Sequence, residues 1–344
     1  MTKVNSEADL IPGPEHTTPG YLVAASLRGA INKGYDPQAL LQQVGIDPEI
    51  LSNPGARIAS SRYARLLQNL WLLLKDEFLG FGQVVSKPGT FATMSQTILP
   101  CHNLEHALKR ANRFYQMFDH TPAIRLKLID DQLAQISIDM SQLEDHDHYL
   151  TLCAMGIIHR FGSWLIGERV PLIKACFDYS RPQSSHDYQQ FFTSELEFDQ
   201  DFCGFIIPRK HLAAKLVRSE VDLKAFIMQS PNGLMFNPDD NQSFSGQVRK
   251  LLGRDFSENL LSLEEIAELL HMTPQTLRRR LKDEGASFQD IKDQLRRDLA
   301  IYYLNDTDLS VQEITEKLGF AETSNFHRAF KKWTGTTPRK YRLT

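Results

Sequence analysis

The sequence has few cysteines, and their spacing forms no paired pattern. Its 344 residues contain four, Cys101, Cys153, Cys176 and Cys203, which are widely spaced and include no CxxC pair. In a chain long enough for two domains with proper cores, this pattern does not indicate a disulfide framework. A glycine-rich phosphate-binding motif is also missing, so nucleotide-driven chemistry is not indicated and no cofactor is expected.

A long uninterrupted hydrophobic run is absent as well. The most apolar stretch, from Tyr149 to Ile166, carries His159 and Arg160 in its middle and therefore predicts a buried helix, not a membrane span. Residues 1–18 are polar and contain prolines, which predicts a flexible tail and not a signal peptide. These features favour a cytoplasmic protein without a membrane partner.

Strong charge of either sign is missing too. The formal net charge is −3 at pH 7, which provides no global field for attracting nucleic acid. The distribution is uneven, because residues 244–344 carry 17 Lys and Arg against 15 Asp and Glu, whereas the remainder carries 22 against 27. Any nucleic-acid binding must therefore depend on a local basic face.

Two copies of a helix-turn-helix pattern follow one another near the C-terminus. Each begins with a capping box, Ser262-x-x-Glu265 or Ser310-x-x-Glu313, in which both side chains satisfy free backbone N–H groups at a helix start. Apolar residues then recur at helical spacing in both copies. One such unit fills one major groove, so the pair predicts a protein that binds double-stranded DNA. The two units span residues 263–284 and 311–334.

The second helix of each unit would enter the groove, and its phase separates a buried face from an outer face. Leu277 and Leu281 define the buried direction in the first unit, and Phe326 and Phe330 do so in the second. Arginine pairs with guanine and Asn or Gln with adenine, so the outer residues suit base reading; a solvated charged face is the alternative. The outer and edge residues are Gln275, Thr276, Arg279, Lys282, Ser324, Asn325, His327, Arg328 and Lys331.

Residues 287–304, between the two units, carry one apolar stripe. They predict a continuous helix of 18 residues, about 27 Å long. A rigid helix of that size could hold two recognition helices about 34 Å apart, which is one turn of DNA, on the same face of the duplex.

This segment resembles the DNA-binding domain of the AraC/XylS family of bacterial transcription regulators. The match is carried by Gly319-Phe320, by the run 324–332 and by Gly335-x-x-Pro338-x-x-Tyr341-Arg342. In the first turn the family's usual glycine is replaced by His271.

The resemblance implies that seven residues face the bases, one of which, Arg278, lies only at the flank by helical phase. It also implies promoter operator DNA and RNA polymerase as partners, and activation in preference to repression. Direct and inverted half-sites are both compatible with the sequence. The seven residues are Gln275, Arg278, Arg279, Ser324, Asn325, His327 and Arg328.

The N-terminal part predicts an α+β domain over residues 19–229. Two segments, 123–130 and 133–140, alternate apolar and polar residues around a short polar turn, which indicates a hairpin. Proline, glycine, asparagine and aspartate mark residues 230–243 as a linker to the DNA-binding domain at 244–344. Helices are predicted at 37–44, 60–75, 103–119, 146–167 and 221–228, and further strands at 171–179 and 204–208.

This part is similar to the N-terminal domain of an AraC subgroup that includes regulators of amino-acid utilisation, through residues 34–51, 56–71 and 81–118. The resemblance implies that the domain binds a small-molecule effector and forms a homodimer. The expected fold is therefore an α+β sensor and dimerisation domain followed by an all-α domain with two helix-turn-helix motifs joined by a long helix. Candidates for an apolar effector pocket, with ordinary core packing as the alternative, are Phe91, Met94, Phe114, Met117 and Phe118.

Two clusters suggest competing chemistry. Pro100-Cys101-His102-Asn103 resembles the P-C-H-R motif of DNA alkyltransferases, whose thiolate accepts an alkyl group, but Asn103 replaces the arginine. The acidic and histidine run at 144–148 offers metal ligands, although a loop leading into a helix is favoured. We therefore expect a regulator that is not an enzyme and holds no metal. The alternatives are an alkyltransferase that uses Cys101, a metal sensor and a regulator that needs no effector.

Overall fold

The computed structural model describes residues 17–53, 56–192, 194–228, 230, 244–252, 261–284, 286–334 and 337–342. In the N-terminal part, helices pack on a five-stranded sheet. The helices are α1 (Gly20–Ser26), α2 (Arg28–Asn32), α3 (Pro37–Gln43), α4 (Ser60–Leu74), α5 (Thr90–Ile98), α6 (Leu104–Tyr115), α7 (Tyr149–Ile166) and α8 (Glu220–Met228). The strands are β1 (Thr17–Pro19), β2 (Arg57–Ala59), β3 (Ala123–Leu128), β4 (Leu133–Asp139), β5 (Lys174–Cys176), β6 (Glu195–Glu197) and β7 (Cys203–Pro208), and 3-10 helices lie at Pro48–Leu51, Gln183–Gln190 and Arg209–Ala213.

The five-stranded sheet has the order β3-β4-β7-β5-β6, and its neighbouring strands are antiparallel except for β5 and β6. The predicted hairpin is confirmed as β3 and β4, and Asp130 closes its turn by accepting hydrogen bonds from the backbone N–H groups of Gln132 and Leu133. Gly204 lies in β7, opposite Ser137 of the paired strand β4. A Cβ atom there would lie 2.1 Å from the carbonyl oxygen of Ile136, so only glycine fits.

Helix α7 is the buried helix that the sequence predicts. Among the described residues it is the one helix long and apolar enough to cross a membrane, and 67% of it is buried in the domain. His159 is accommodated because its Nε2 donates to the carbonyl oxygen of Val170 at 2.7 Å. Burial lowers the pKa of His159 to about 3, so the imidazole is neutral at physiological pH.

Several N-terminal elements differ from the prediction. The strand expected at 171–179 is reduced to β5, because only three residues find partners on both sides, and the helix expected at 103–119 ends at Tyr115. Thr17 and Thr18, predicted to end the flexible tail, instead pair with β2 in a two-stranded sheet. The rest of that tail and the linker predicted at 230–243, apart from Ser230, lie outside the described residues.

The C-terminal part is entirely helical in the residues described. Helices α10 (Leu263–Leu269) and α11 (Pro274–Asp283) form the first helix-turn-helix unit, and α13 (Val311–Lys317) and α14 (Thr323–Thr334) form the second. Helix α12 (Phe288–Asp306) joins the units as the predicted long helix, here of 19 residues. Helix α9 (Phe244–Leu252) precedes the first unit, and α15 (Pro338–Arg342) follows the second. Buried apolar side chains form two separate clusters, one within residues 22–223 and one within 248–341, so each part has its own core.

Candidate nucleic-acid interface

Both helix-turn-helix units begin with the predicted capping boxes. Ser262 and Glu265 exchange hydrogen bonds at the start of α10, and Ser310 and Glu313 do the same at the start of α13. Hydrogen bonds from the serine backbone N–H and hydroxyl hold the pKa of each glutamate below its ordinary value. The contribution of each glutamate carboxylate is therefore fully present above the ordinary pKa of glutamate and is lost as the pH falls through the lowered pKa, while the serine hydroxyl continues to cap the helix.

The turns of the two units share one backbone conformation. Gly319 has φ +65° in the second turn, and His271, which stands in place of the family's glycine, has φ +55° in the first. Both residues are in the left-handed region, which is strained for a side chain with a Cβ atom. His271 therefore adopts the same turn geometry as Gly319, and its backbone carries the strain of the left-handed conformation.

Replacing His271 with glycine is expected to raise the free energy of unfolding by about 0.5–1 kcal/mol, because the left-handed strain disappears while some chain entropy is lost. The matched change, Gly319→Ala, should lower it by about 1 kcal/mol or more. Urea denaturation followed through tryptophan fluorescence, to which Trp333 on the C-terminal core contributes, measures both. Equal destabilisation by the two variants would contradict this explanation.

The recognition helices α11 and α14 are fixed by their apolar faces. Leu277 and Leu281 are buried against the C-terminal core, as are Phe326 and Phe330. The ring centroid of Phe330 lies 5.3 Å from that of Tyr341 in an edge-to-face arrangement. The buried direction predicted from helical phase is therefore confirmed for both helices, and the opposite faces point outward.

In the first unit the outer face is exposed at Gln275, Arg279 and Lys282. Arg278 is also exposed, but its Nη2 lies 3.4 Å from Oε1 of Glu264 on α10, at the flank where helical phase places it. The half-buried Thr276 lies with its hydroxyl 2.8 Å from that of Thr273, the N-cap residue of α11. Contact of these residues with DNA stays a prediction.

In the second unit Ser324, Arg328 and Lys331 are exposed, and Asn325 and His327 are half-buried at the edges. The Nη2 of Arg328 donates to Oδ1 of Asn325 at 2.6 Å, so the amide orients the guanidinium. Ser324 donates from its hydroxyl to Oε2 of Glu322 at 3.0 Å. The structure brings these residues onto one face, and their contact with bases also stays a prediction.

Two side chains that brace the units were not singled out from the sequence. Arg296 of α12 donates from Nε to the carbonyl oxygen of Leu318 at 3.1 Å and lies 5.2 Å from the ring centroid of Phe320, which fixes the second turn on the joining helix. Glu284, at the end of α11, accepts hydrogen bonds from the first two backbone N–H groups of α9. Both contacts link residues at least 22 positions apart in the sequence, so no local sequence pattern predicts them.

The five candidate effector residues fall into two places. Phe91 and Met94 lie on α5, where Phe91 contacts Phe161 of α7 with 5.3 Å between ring centroids and Met94 is buried. Phe114, at the end of α6, packs against Phe118, while Met117 is 67% exposed. A shared pocket for all five stays a prediction.

An aromatic cluster that sequence analysis did not identify joins α5, α7 and α8. Trp164 stacks on Phe226 with ring centroids 4.4 Å apart, and Phe161 contacts both rings. The guanidinium carbon of Arg218 lies 5.2 Å from the ring centroid of Trp164. The cluster therefore fixes α8, the last described helix before residues 231–243, onto the core of the N-terminal part.

The competing clusters have structural explanations. Cys101 is buried, and burial raises the pKa of its thiol, which opposes formation of a nucleophilic thiolate. The Nδ1 atom of His102 instead lies 3.3 Å from that of His106. Asp145 caps α7 by accepting hydrogen bonds from the backbone N–H groups of Leu150 and Thr151, as expected of a loop leading into a helix. Among the described residues, no group of three or more His, Cys, Asp or Glu side chains is placed to hold a metal.

The fold and the two outward-facing recognition helices define the class: a transcription regulator with a DNA-binding helix-turn-helix domain. Residues 34–216 match the family model described as the arabinose-binding domain of AraC transcription regulator, and residues 266–344 match a helix-turn-helix domain. The chain belongs to the AraC family of transcription regulators. Its expected fold class, an α+β domain followed by a helical domain, is confirmed.

Named relatives match this chain over different shares of its length. The ornithine utilization regulator of Pseudomonas aeruginosa is 27% identical over 314 residues, covering 90% of this chain and 91% of the relative. The regulator VqsM of the same organism is 40% identical over 81 residues, covering 24% and 25%. Among solved structures, the transcriptional regulator CdpR from Pseudomonas aeruginosa is 20% identical, with coverage of 93% and 98% and a TM-score of 0.29.

Proposed function

We propose that the protein is a sequence-specific transcription activator whose DNA binding is controlled by a small molecule held in the N-terminal domain. The observation that carries the proposal is the pair of recognition helices, α11 and α14, which bury their leucine or phenylalanine face and expose Arg279 and Arg328. An exposed arginine on a helix in the major groove makes a bidentate contact with guanine. Promoter operator DNA is therefore the proposed partner.

The proposed domain organisation begins with a tail at 1–18, whose last two residues belong to β1. An effector-binding and dimerisation domain follows at 19–229, then a linker at 230–243 and a DNA-binding domain at 244–344. The regulator acts in the cytoplasm as a homodimer that contacts RNA polymerase. It is not an enzyme, which is supported by the names of its relatives as transcriptional regulators and by the buried thiol of Cys101. Stoichiometric alkyl transfer to Cys101 would contradict this.

The effector is proposed to be a small-molecule metabolite, and amino acids are the first class to test. The support is a relative matched over 90% of this chain that is named for ornithine utilization. For control to occur, the effector must bind one arrangement of the protein better than another, since equal binding to both changes nothing.

The experiment selects DNA bound by the full chain from a random pool and then screens metabolites for a change in that binding. We expect one enriched sequence with a half-site for each recognition helix, and an amino acid that shifts both affinity and thermal stability. The double variant Arg279→Ala/Arg328→Ala, carried through the same selection, is the matched control. Enrichment of no sequence would refute base reading, and binding that no metabolite changes would identify a regulator that needs no effector.

A further inference from the structure

The boundary between the two parts of the chain is polar. The buried apolar clusters within residues 22–223 and 248–341 remain separate, so no continuous hydrophobic core joins the parts in the residues described. Among the described residues, hydrogen bonds link β1 and β2 on one side with α12 and α15 on the other. Polar interfaces between domains permit relative motion more readily than apolar ones.

The first connection uses the backbone of β2. The N–H group of Arg57 donates to the hydroxyl oxygen of Tyr341 at 3.1 Å, and that hydroxyl donates to the carbonyl oxygen of Arg57 at 2.9 Å. Tyr341 is buried, and its ring packs on Phe330 of the recognition helix α14. One side chain therefore contacts the N-terminal sheet with its hydroxyl and the second recognition helix with its ring.

The second connection uses β1. The hydroxyl of Thr17 donates to Oδ1 of Asp298 on α12 at 3.0 Å and accepts from Nε of Arg57 at 3.0 Å. Asp298 is buried and also accepts from Nε of Arg297 at 3.2 Å. We name the four residues Thr17, Arg57, Asp298 and Tyr341 the interdomain clasp. Their burial makes each hydrogen bond costly to leave unmade, so the clasp favours one relative placement of the two parts.

The clasp reaches the DNA-binding domain at the elements that set the geometry of its two units. Asp298 lies on α12, the helix that joins the units, and Tyr341 supports α14. The outward residues Arg279 and Arg328 remain exposed while the clasp is closed. The clasp therefore does not act by covering the recognition face, which stays accessible while the clasp is closed.

We propose that the closed clasp is the DNA-competent arrangement and that the N-terminal domain controls DNA binding by closing or opening it. This inference rests on the proposed function and names the contact through which control passes. Because coupling is reciprocal, DNA binding must also stabilise the clasp.

The test uses the full chain and DNA selected by it. Tyr341→Phe keeps the ring on Phe330 but removes both hydrogen bonds to β2, and Thr17→Val removes the hydroxyl between Arg57 and Asp298. We expect each variant to bind the selected DNA about fivefold or more weakly than the parent chain. Tyr302→Phe, which removes a hydroxyl from α12 outside the clasp, is the matched control and should change affinity by no more than about twofold.

Amide hydrogen exchange supplies the second measurement. Exchange at Arg57 is expected to be faster in Tyr341→Phe than in the parent, and selected DNA should slow it in the parent. Unchanged affinity in both clasp variants, or exchange in β2 that DNA does not affect, would overturn the inference while the proposed function stands. If the parent chain selects no DNA at all, the proposed function fails and the inference fails with it.

Discussion

Replacing Arg57 with methionine is expected to lower the free energy of unfolding of the full chain by about 3–5 kcal/mol. The Nη1 atom of Arg57 lies 2.7 Å from Oδ1 of Asp187, and the two side chains are only 4% and 6% exposed. Methionine keeps an unbranched apolar stem but carries no charge, so Asp187 would lose the guanidinium that compensates its buried carboxylate. Urea denaturation followed by tryptophan fluorescence measures the change.

A double-mutant cycle shows whether the loss comes from the uncompensated charge. Asp187→Leu alone should destabilise by a similar amount. Arg57→Met/Asp187→Leu should recover the part of the loss that comes from the uncompensated charge, because apolar pairs often replace buried ion pairs at little cost. The cost of losing the two hydrogen bonds from Arg57 to the hydroxyl and carbonyl oxygens of Thr17 should remain. Arg125→Met is the matched control. It breaks an ion pair with Asp139 whose arginine is 69% exposed, and should cost less than about 1 kcal/mol. A double variant as unstable as the sum of its parts would refute the explanation.

The DNA-binding domain could be predicted closely because its signals are local. The capping boxes at Ser262 and Ser310 lie within four residues of chain, and the buried faces of α11 and α14 follow from helical phase. The long joining helix was predicted at 287–304 and is observed as α12. Short-range hydrogen bonding and periodicity determine all of these features, so they can be predicted from a single sequence.

Strands β1 and β2 and the clasp could not be predicted in the same way. Strands β1 and β2 have three residues each, too few to show a period, and the hydrogen bonds from Thr17 to Asp298 and from Arg57 to Tyr341 span 281 and 284 positions. Asp298 lies in a charged stretch of α12 whose sequence predicts a solvated helix face. Only the tertiary contact with β1 buries it, and tertiary contacts override local patterns.

The largest functional effect is expected at the two outward arginines. Arg279→Ala and Arg328→Ala should each weaken binding to the selected DNA by about 1–3 kcal/mol, or about 5- to 150-fold, and each should relax base preference at one position. The reason is that a bidentate arginine–guanine contact distinguishes one base pair. The two residues lie on different recognition helices, so the losses in the double variant should be nearly additive.

Arg280→Ala provides the matched control, because it removes the same charge from the same helix as Arg279→Ala. The guanidinium carbon of Arg280 lies 5.2 Å from the ring centroid of Phe244 on α9, so this arginine is engaged within the domain. Its loss should weaken binding to all sequences similarly and leave base preference intact, since only the electrostatic attraction to phosphates changes. Titration of each variant against the selected sequence and single-base substitutions separates the two effects. If all three arginine variants lose the same affinity and none changes its base preference, then α11 and α14 bind the DNA backbone and do not read its sequence.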